Sequence, residues 1–229
     1  MGIFGIGQRP TGAKDPFALR RASIGVLNIL VKGELNLDLR ELLQVAVDQH
    51  QQLPKAEGLV EEVLTYMLDR FRAWGQDEGI TAEMYLAVRA RPVSKPLDFA
   101  RRLRAVKAFA QREEATALAA ANKRVSNILS KQAHDGSTQV DTTLLQESPE
   151  QTLAEAVIHC QQQVAPLFAA GEYQQALDTL ATLREPVDTF FDQVMVMADD
   201  EAVRRNRLAL LASLQALFLE VADISQLPQ

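Results

Sequence analysis

The residue types that most often carry chemistry are sparse in this chain and badly spaced for it. Gly7 and Gly12 in GQRPTGAKD stand at the separation of a phosphate-binding loop. Ala13, however, takes the place of the lysine that would meet the phosphates, and no Ser or Thr follows Lys14 to hold magnesium. His50, His134 and His159 lack a His, Cys or carboxylate partner at ligand spacing. His159 and Cys160 are neighbours in sequence, so on a helix they point to different faces. Cys160 has no base that would make it a nucleophile and reads as a buried thiol. As the single cysteine it excludes an internal disulfide and fits a reducing compartment. Asp199, Asp200 and Glu201 look like a metal cluster, but they also open a helix. There each negative charge offsets the positive end of the dipole by about 0.3–1 kcal/mol, and the structural reading is preferred.

Charge is more informative. The formal net charge is −6, which on its face argues against a nucleic-acid partner. Between Lys95 and Lys131, however, nine basic residues face three acidic ones, a local +6 inside a remainder of −12. Such a stretch is either the electrostatic footprint of RNA or a solvated helix surface, and charge alone leaves both open.

The elements that must position these residues are helices. Ala, Leu, Glu, Gln and Arg dominate, Gly and Pro cluster at intervals, and no strand pattern or repeat is present. A hydrophobic content of 47% suffices for a core. Asp15-Pro16 opens a helix to Lys32 with Gly33 past its end. Asn36 can cap a second over 37–50, with Leu39, Leu42, Leu43 and Ala46 on one face. Further helices are expected over 57–74 and 81–90. Pro92 and Pro96 then mark an internal boundary, because two prolines within five residues interrupt helix. In the next helix, 96–111, Phe99, Leu103, Val106 and Ala110 share a face and Arg101 and Arg104 lie opposite. Over 113–131, Leu118, Asn122, Val125 and Leu129 form one stripe, and Lys123, Asn127 and Lys131 form another. A loop at 134–141 precedes helices at 149–170, 173–197 and 200–220. The expected fold class is all-α, a helical bundle in two units, 1–91 and 92–229. No apolar run approaches the roughly 20 residues that span a bilayer, and the N-terminus has no signal-peptide pattern. The expected location is cytoplasmic.

Three segments carry a resemblance: RPTGAKDPFALRRASIGVLNIL at 9–30, AANKRVSNIL at 120–129, and PVDTFFDQVMVMADDEAVRRNRLALLASLQALFLEVADISQL at 186–227. In this order they resemble the C-terminal region of the β subunit of bacterial heterotetrameric glycyl-tRNA synthetase, and the chain would be about the last third of such a subunit. The resemblance implies that the second helical unit is a DALR-type anticodon-binding bundle. It also implies a tRNA-binding part of a glycine–tRNA ligase that is itself non-catalytic and recognises the anticodon region of glycine tRNA during aminoacylation. ATP and magnesium would be used by the α subunit, in an assembly of two α and two β chains, with no cofactor on this segment and neither DNA nor a membrane as partner. The alternative is a helical interaction module serving mainly subunit assembly, which clustered exposed apolar surface on 1–91 would favour.

An anticodon loop offers phosphates and splayed bases to cations, hydrogen-bonding side chains and stacking surfaces. On the resemblance, the RNA-binding candidates are Lys123, Arg124, Asn127 and Lys131 on one helix, Arg101, Arg104 and Lys107 on the helix before it (with Arg102 beside them), and Arg205 on the last. Lys14, Arg20 and Arg21 are candidates for tRNA backbone or subunit contacts. Asn122 is expected to be a buried, hydrogen-bonded core residue. Arg204 and Arg207 are expected to pair internally with Asp192, Asp199 or Asp200. Met195 and Met197, with Phe190 and Phe191, are expected in the core, so stacking would require Tyr173, Phe168 or Trp74 to be exposed.

Overall fold

A computed structural model describes residues 1–10, 15, 17–50, 57–132 and 136–228, and among these the secondary structure is helical with no strand, as expected. The helices are α1 (Gly2–Gly5), α2 (Leu19–Lys32), α3 (Leu39–Asp48), α4 (Leu59–Leu68), α5 (Phe71–Asp77), α6 (Ala82–Arg89), α7 (Pro96–Ala110), α8 (Ala115–Lys131), α9 (Ser148–Ala170), α10 (Tyr173–Leu180), α11 (Arg184–Gln193) and α12 (Glu201–Leu219). Short 3-10 turns lie at 142–144, 181–183 and 224–226. The chain forms two compact units, Met1–Tyr85 with Pro92–Leu103, and Leu86–Arg91 with Arg104–Gln229.

In the first unit the caps explain where helices start. Asp15 does cap α2, its carboxylate accepting from the amides of Leu19 at 2.8 Å and Arg20 at 2.9 Å. The helix nevertheless begins three residues later than Asp15-Pro16 suggests, after Ala18 in the left-handed conformation. Asp38, not Asn36, caps α3 by accepting from Arg40 N at 2.9 Å, and its second oxygen takes the Ser94 hydroxyl at 2.6 Å. Leu39 and Leu43 are buried, whereas Leu42 faces solvent, so the apolar face of α3 is narrower than its leucines suggest. The helix expected over 57–74 is broken at Asp69–Arg70. The turn lets Phe71 enter the core, against Phe99 at 5.0 Å and Trp74 at 5.2 Å between ring centroids.

In the second unit α9 packs on α10 and α11, while α8 packs on α11, α12 and the closing turn at 224–226. The N-terminus of α9 carries a reciprocal capping box between Glu147 and Glu150, and Gly171, at φ 73°, ends it in the left-handed conformation that a Cβ disfavours. The stretch expected as one helix over 173–197 divides into α10, a 3-10 turn and α11, and leaves helix at Gln193. The acidic run opening α12 behaves as a cap: Asp200 accepts from Ala202 N at 2.8 Å and Val203 N at 3.2 Å. Among the described residues no group of His, Cys, Asp and Glu could hold a metal ion, and no helix is long and apolar enough to cross a membrane. Cys160 is buried, and burial raises its thiol pKa.

Candidate nucleic-acid interface

Helix α8 is built with two faces. Leu118, Ala119, Ala121, Asn122 and Val125 point into the core, and Asn122 donates to Leu118 O at 3.0 Å, the buried role expected for it. Ser126 is tied to α12 through Gln215 Nε2 at 2.5 Å, which fixes the rotation of the helix. The opposite face then follows from the 3.6-residue period: Lys123, Arg124, Asn127 and Lys131 are all exposed on it. With Ala120 and Ile128 they line a shallow open groove of about 460 Å³.

Four of the eight candidate residues thus lie together on α8, and the other four lie on α7 and α12. Among the described residues no carboxylate lies within ion-pair distance of Lys123, Arg124 or Lys131. Arg124 is held differently, its guanidinium carbon lying over the Phe191 ring, 4.2 Å from the centroid. Arg104 is exposed and Lys107 half-buried on α7 in the second unit, while Arg101, also exposed, falls in the first. Arg205 is exposed on α12, pairs with Glu201 at 3.1 Å, and lines a different groove, with Ser137, Asp141 and Asn206. Lys14 and His134 lie outside the described residues.

Several neighbours differ from expectation. Arg102 is unsuited to phosphate contact: it is buried and pairs with Asp98 at 2.7 Å, one turn back on the same helix. Arg204 donates to the carbonyls of Ala198 at 2.7 Å and Asp199 at 3.4 Å, and among the described residues it pairs with no carboxylate. Arg207 is internal as expected, but its partners are Glu150 at 2.8 Å, Glu147 at 2.7 Å and Met195 O at 2.8 Å. Burial pushes the Glu150 carboxyl up, yet Arg207 and the amides of Glu147 and Gln146 more than offset this and hold it below the usual carboxylate range. Met195 and Met197 are exposed, 72% and 41%, because the chain is no longer helical there and alternates Val194 and Val196 inward. Phe190 is buried but Phe191 is half-buried, and Tyr173, offered as a stacking surface, is buried. Phe191 as the support of Arg124 is not visible in the sequence. Its spacing in α11 is the one local signal, and spacing names no partner 67 positions away (124 to 191).

Residues 118–224, which include the exposed face of α8, match the family described as DALR anticodon binding domain. Most of the second unit is therefore of the DALR anticodon-binding-domain class. Residues 1–90 match the family described as glycyl-tRNA synthetase beta subunit. Similar curated proteins are the glycine–tRNA ligase beta subunits of Chromohalobacter salexigens, 76% identical over 228 residues, and Marinobacter nauticus, 58% identical over 230 residues, each alignment covering all of this chain. The corresponding beta subunit of Aeromonas salmonicida is 57% identical over 226 residues, 99% of this chain. The chain belongs to the glycyl-tRNA synthetase beta-subunit family. It spans about a third of the length of these relatives, 33% in each case.

Proposed function

We propose that this chain is a non-catalytic, tRNA-gripping part of a glycine–tRNA ligase, bound to the anticodon region of glycine tRNA through the outer face of α8. The observation that carries this reading is the set Lys123, Arg124, Asn127 and Lys131, collected on one exposed helix face, without carboxylate partners among the described residues, inside the stretch that matches an anticodon-binding domain. Cations there meet phosphates, and the Asn127 amide can both donate to and accept from a base edge. Arg101, Arg104, Lys107 and Arg205 are outlying phosphate contacts in this reading. Aminoacylation, with ATP and magnesium, belongs to an α subunit, in a cytoplasmic assembly of two α and two β chains.

The test is binding of the chain to glycine tRNA, beside a version whose two anticodon cytosines are changed, across a salt series. Salt-dependent binding that weakens on changing the cytosines supports anticodon recognition. Equal binding to both reduces the role to backbone grip, and no binding at low salt removes it.

A second reading, subunit assembly, is favoured by a specific observation on the first unit. Val26, Ile29, Leu35, Leu37, Leu42 and Val45, on α2, α3 and the turn between them, are all exposed, Ile29 to 64% and Val45 to 58%. Apolar surface of this extent marks an interaction site in a folded protein. A complete β subunit carrying Val26→Asp and Ile29→Asp is expected to keep its tRNA affinity and lose assembly; unchanged assembly would overturn this reading.

A further inference from the structure

Phe191 gives Arg124 a task different from that of the lysines beside it. The Arg124 guanidinium carbon lies 4.2 Å from the Phe191 ring centroid, and Arg124 is exposed while Phe191 is half-buried, so a planar group is held against the ring with part of its surface open to solvent. Phe191 is itself held by an edge contact to the fully buried Phe190, with ring centroids 5.5 Å apart and planes at 74°. The stack therefore stands on the core of the unit and not on a mobile side chain. Nucleobases stack on guanidinium planes as they do on aromatic rings, and a plane ordered beforehand loses little freedom when a base arrives.

We propose that Arg124, supported by Phe191, is the stacking subsite for one unpaired nucleobase of the bound RNA, and that it contributes as a plane more than as a charge. The proposal rests on the tRNA-binding reading above and adds the kind of contact made. The surroundings suit a flat, partly apolar ligand. Ala120 and Ile128, one turn to either side of Arg124, supply small or apolar surface, while Lys123, Asn127 and Lys131 border the same groove with polar heads. Lys123 and Lys131 then hold the phosphates that flank the stacked base. This division of labour also answers the scarcity of exposed aromatic rings, since an arginine over a half-buried phenylalanine presents the plane in their place.

The test separates plane from charge. Arg124→Lys keeps the cation and removes the plane; Phe191→Leu keeps an apolar residue beside Phe190 and removes the support. Each is measured in the full chain with glycine tRNA carrying a fluorescent cytosine analogue at one anticodon position or the other, with Lys123→Ala as the charge control. In the wild-type chain one analogue is quenched on binding, as a stacked base is. Arg124→Lys is expected to abolish that quenching and weaken binding at least about 5-fold with an unchanged salt slope, Phe191→Leu to do the same more weakly, and Lys123→Ala to lower the salt slope with quenching intact. Circular dichroism confirms that each variant is folded. Wild-type-like quenching and affinity in Arg124→Lys would overturn the stacking subsite while leaving the tRNA-binding reading in place. A wild-type chain with no salt-dependent binding would overturn both.

Discussion

Arg207 Nε lies 2.8 Å from Glu150 Oε2, joining α12 to the first turn of α9, and both side chains are shut away from solvent. Glu150 also accepts from the amides of Gln146 and of Glu147, the latter at 2.7 Å, so every oxygen of the buried carboxylate is used. Removing one partner of such a pair costs more than the pair contributes, because the other charge stays buried and unmatched. Arg207→Ala is expected to destabilise the chain by about 3–5 kcal/mol, read as a lowered thermal or urea midpoint. Arg207→Lys should recover only part of this, since an ammonium cannot reach Glu147, Glu150 and Met195 O together as the planar fork does. A midpoint unchanged in both variants would show that the pair is not a keystone.

The same carboxylate predicts a pH dependence. Glu150 is depressed below its ordinary value in the folded chain, so the unfolded chain binds its proton first as pH falls. The stability it contributes is complete above the unfolded value, roughly pH 4.3, and is lost as pH drops from there through the folded value. Thermal midpoints from pH 6 to pH 3 should fall steeply at the acid end. In Arg207→Ala the cation's share of this depression is lost, so the folded value moves back up and the group contributes less stability that acid can remove. The variant should lose less of its remaining stability on acidification than the parent.

Asn206 is a two-way clamp. Its amide oxygen accepts from Asp141 N at 2.7 Å and its amide nitrogen donates to Asp141 O at 2.9 Å, fastening the segment before the 142–144 turn onto α12. Asn206→Ala strands both backbone groups and should cost about 1–3 kcal/mol. Hydrogen exchange should accelerate first at residues 136–141, and protection unchanged there would argue that the segment is held by other contacts.

Local pattern carries much of this architecture. The acids at 199–201 as the opening of a helix, Asn122 as a core residue and the stripe of Lys123, Asn127 and Lys131 all follow from helical spacing and from the positive end of a helix dipole. Relationships between distant residues are what local pattern cannot show. Glu150 reads locally as a first-turn acid in a capping-box position, but nothing near it announces an arginine 57 residues on. Met195 and Met197 belong in the core only if a single helix runs to residue 197. Pro186, which sits in the first turn of α11 where proline is tolerated, is the sign in the sequence that a helix restarts there. The exposed leucines and valines of α2 and α3 are indistinguishable in sequence from core residues, since helical periodicity shows an apolar face but not what covers it.

The cations of α8 make the remaining prediction, through salt. Each phosphate neutralised releases condensed counterions, so the slope of log affinity against log salt should fall by about 0.7 for each lysine withdrawn from a phosphate of single-stranded RNA. Lys123→Ala and Lys131→Ala are exposed surface changes and should leave stability nearly unaltered. Each is expected to reduce the slope by that amount, and together by about twice as much if each meets its own phosphate. Arg205→Ala should reduce it less, because Glu201 at 3.1 Å already opposes that charge. Slopes indistinguishable from wild type in both lysine variants would show that α8 is not the face that meets RNA.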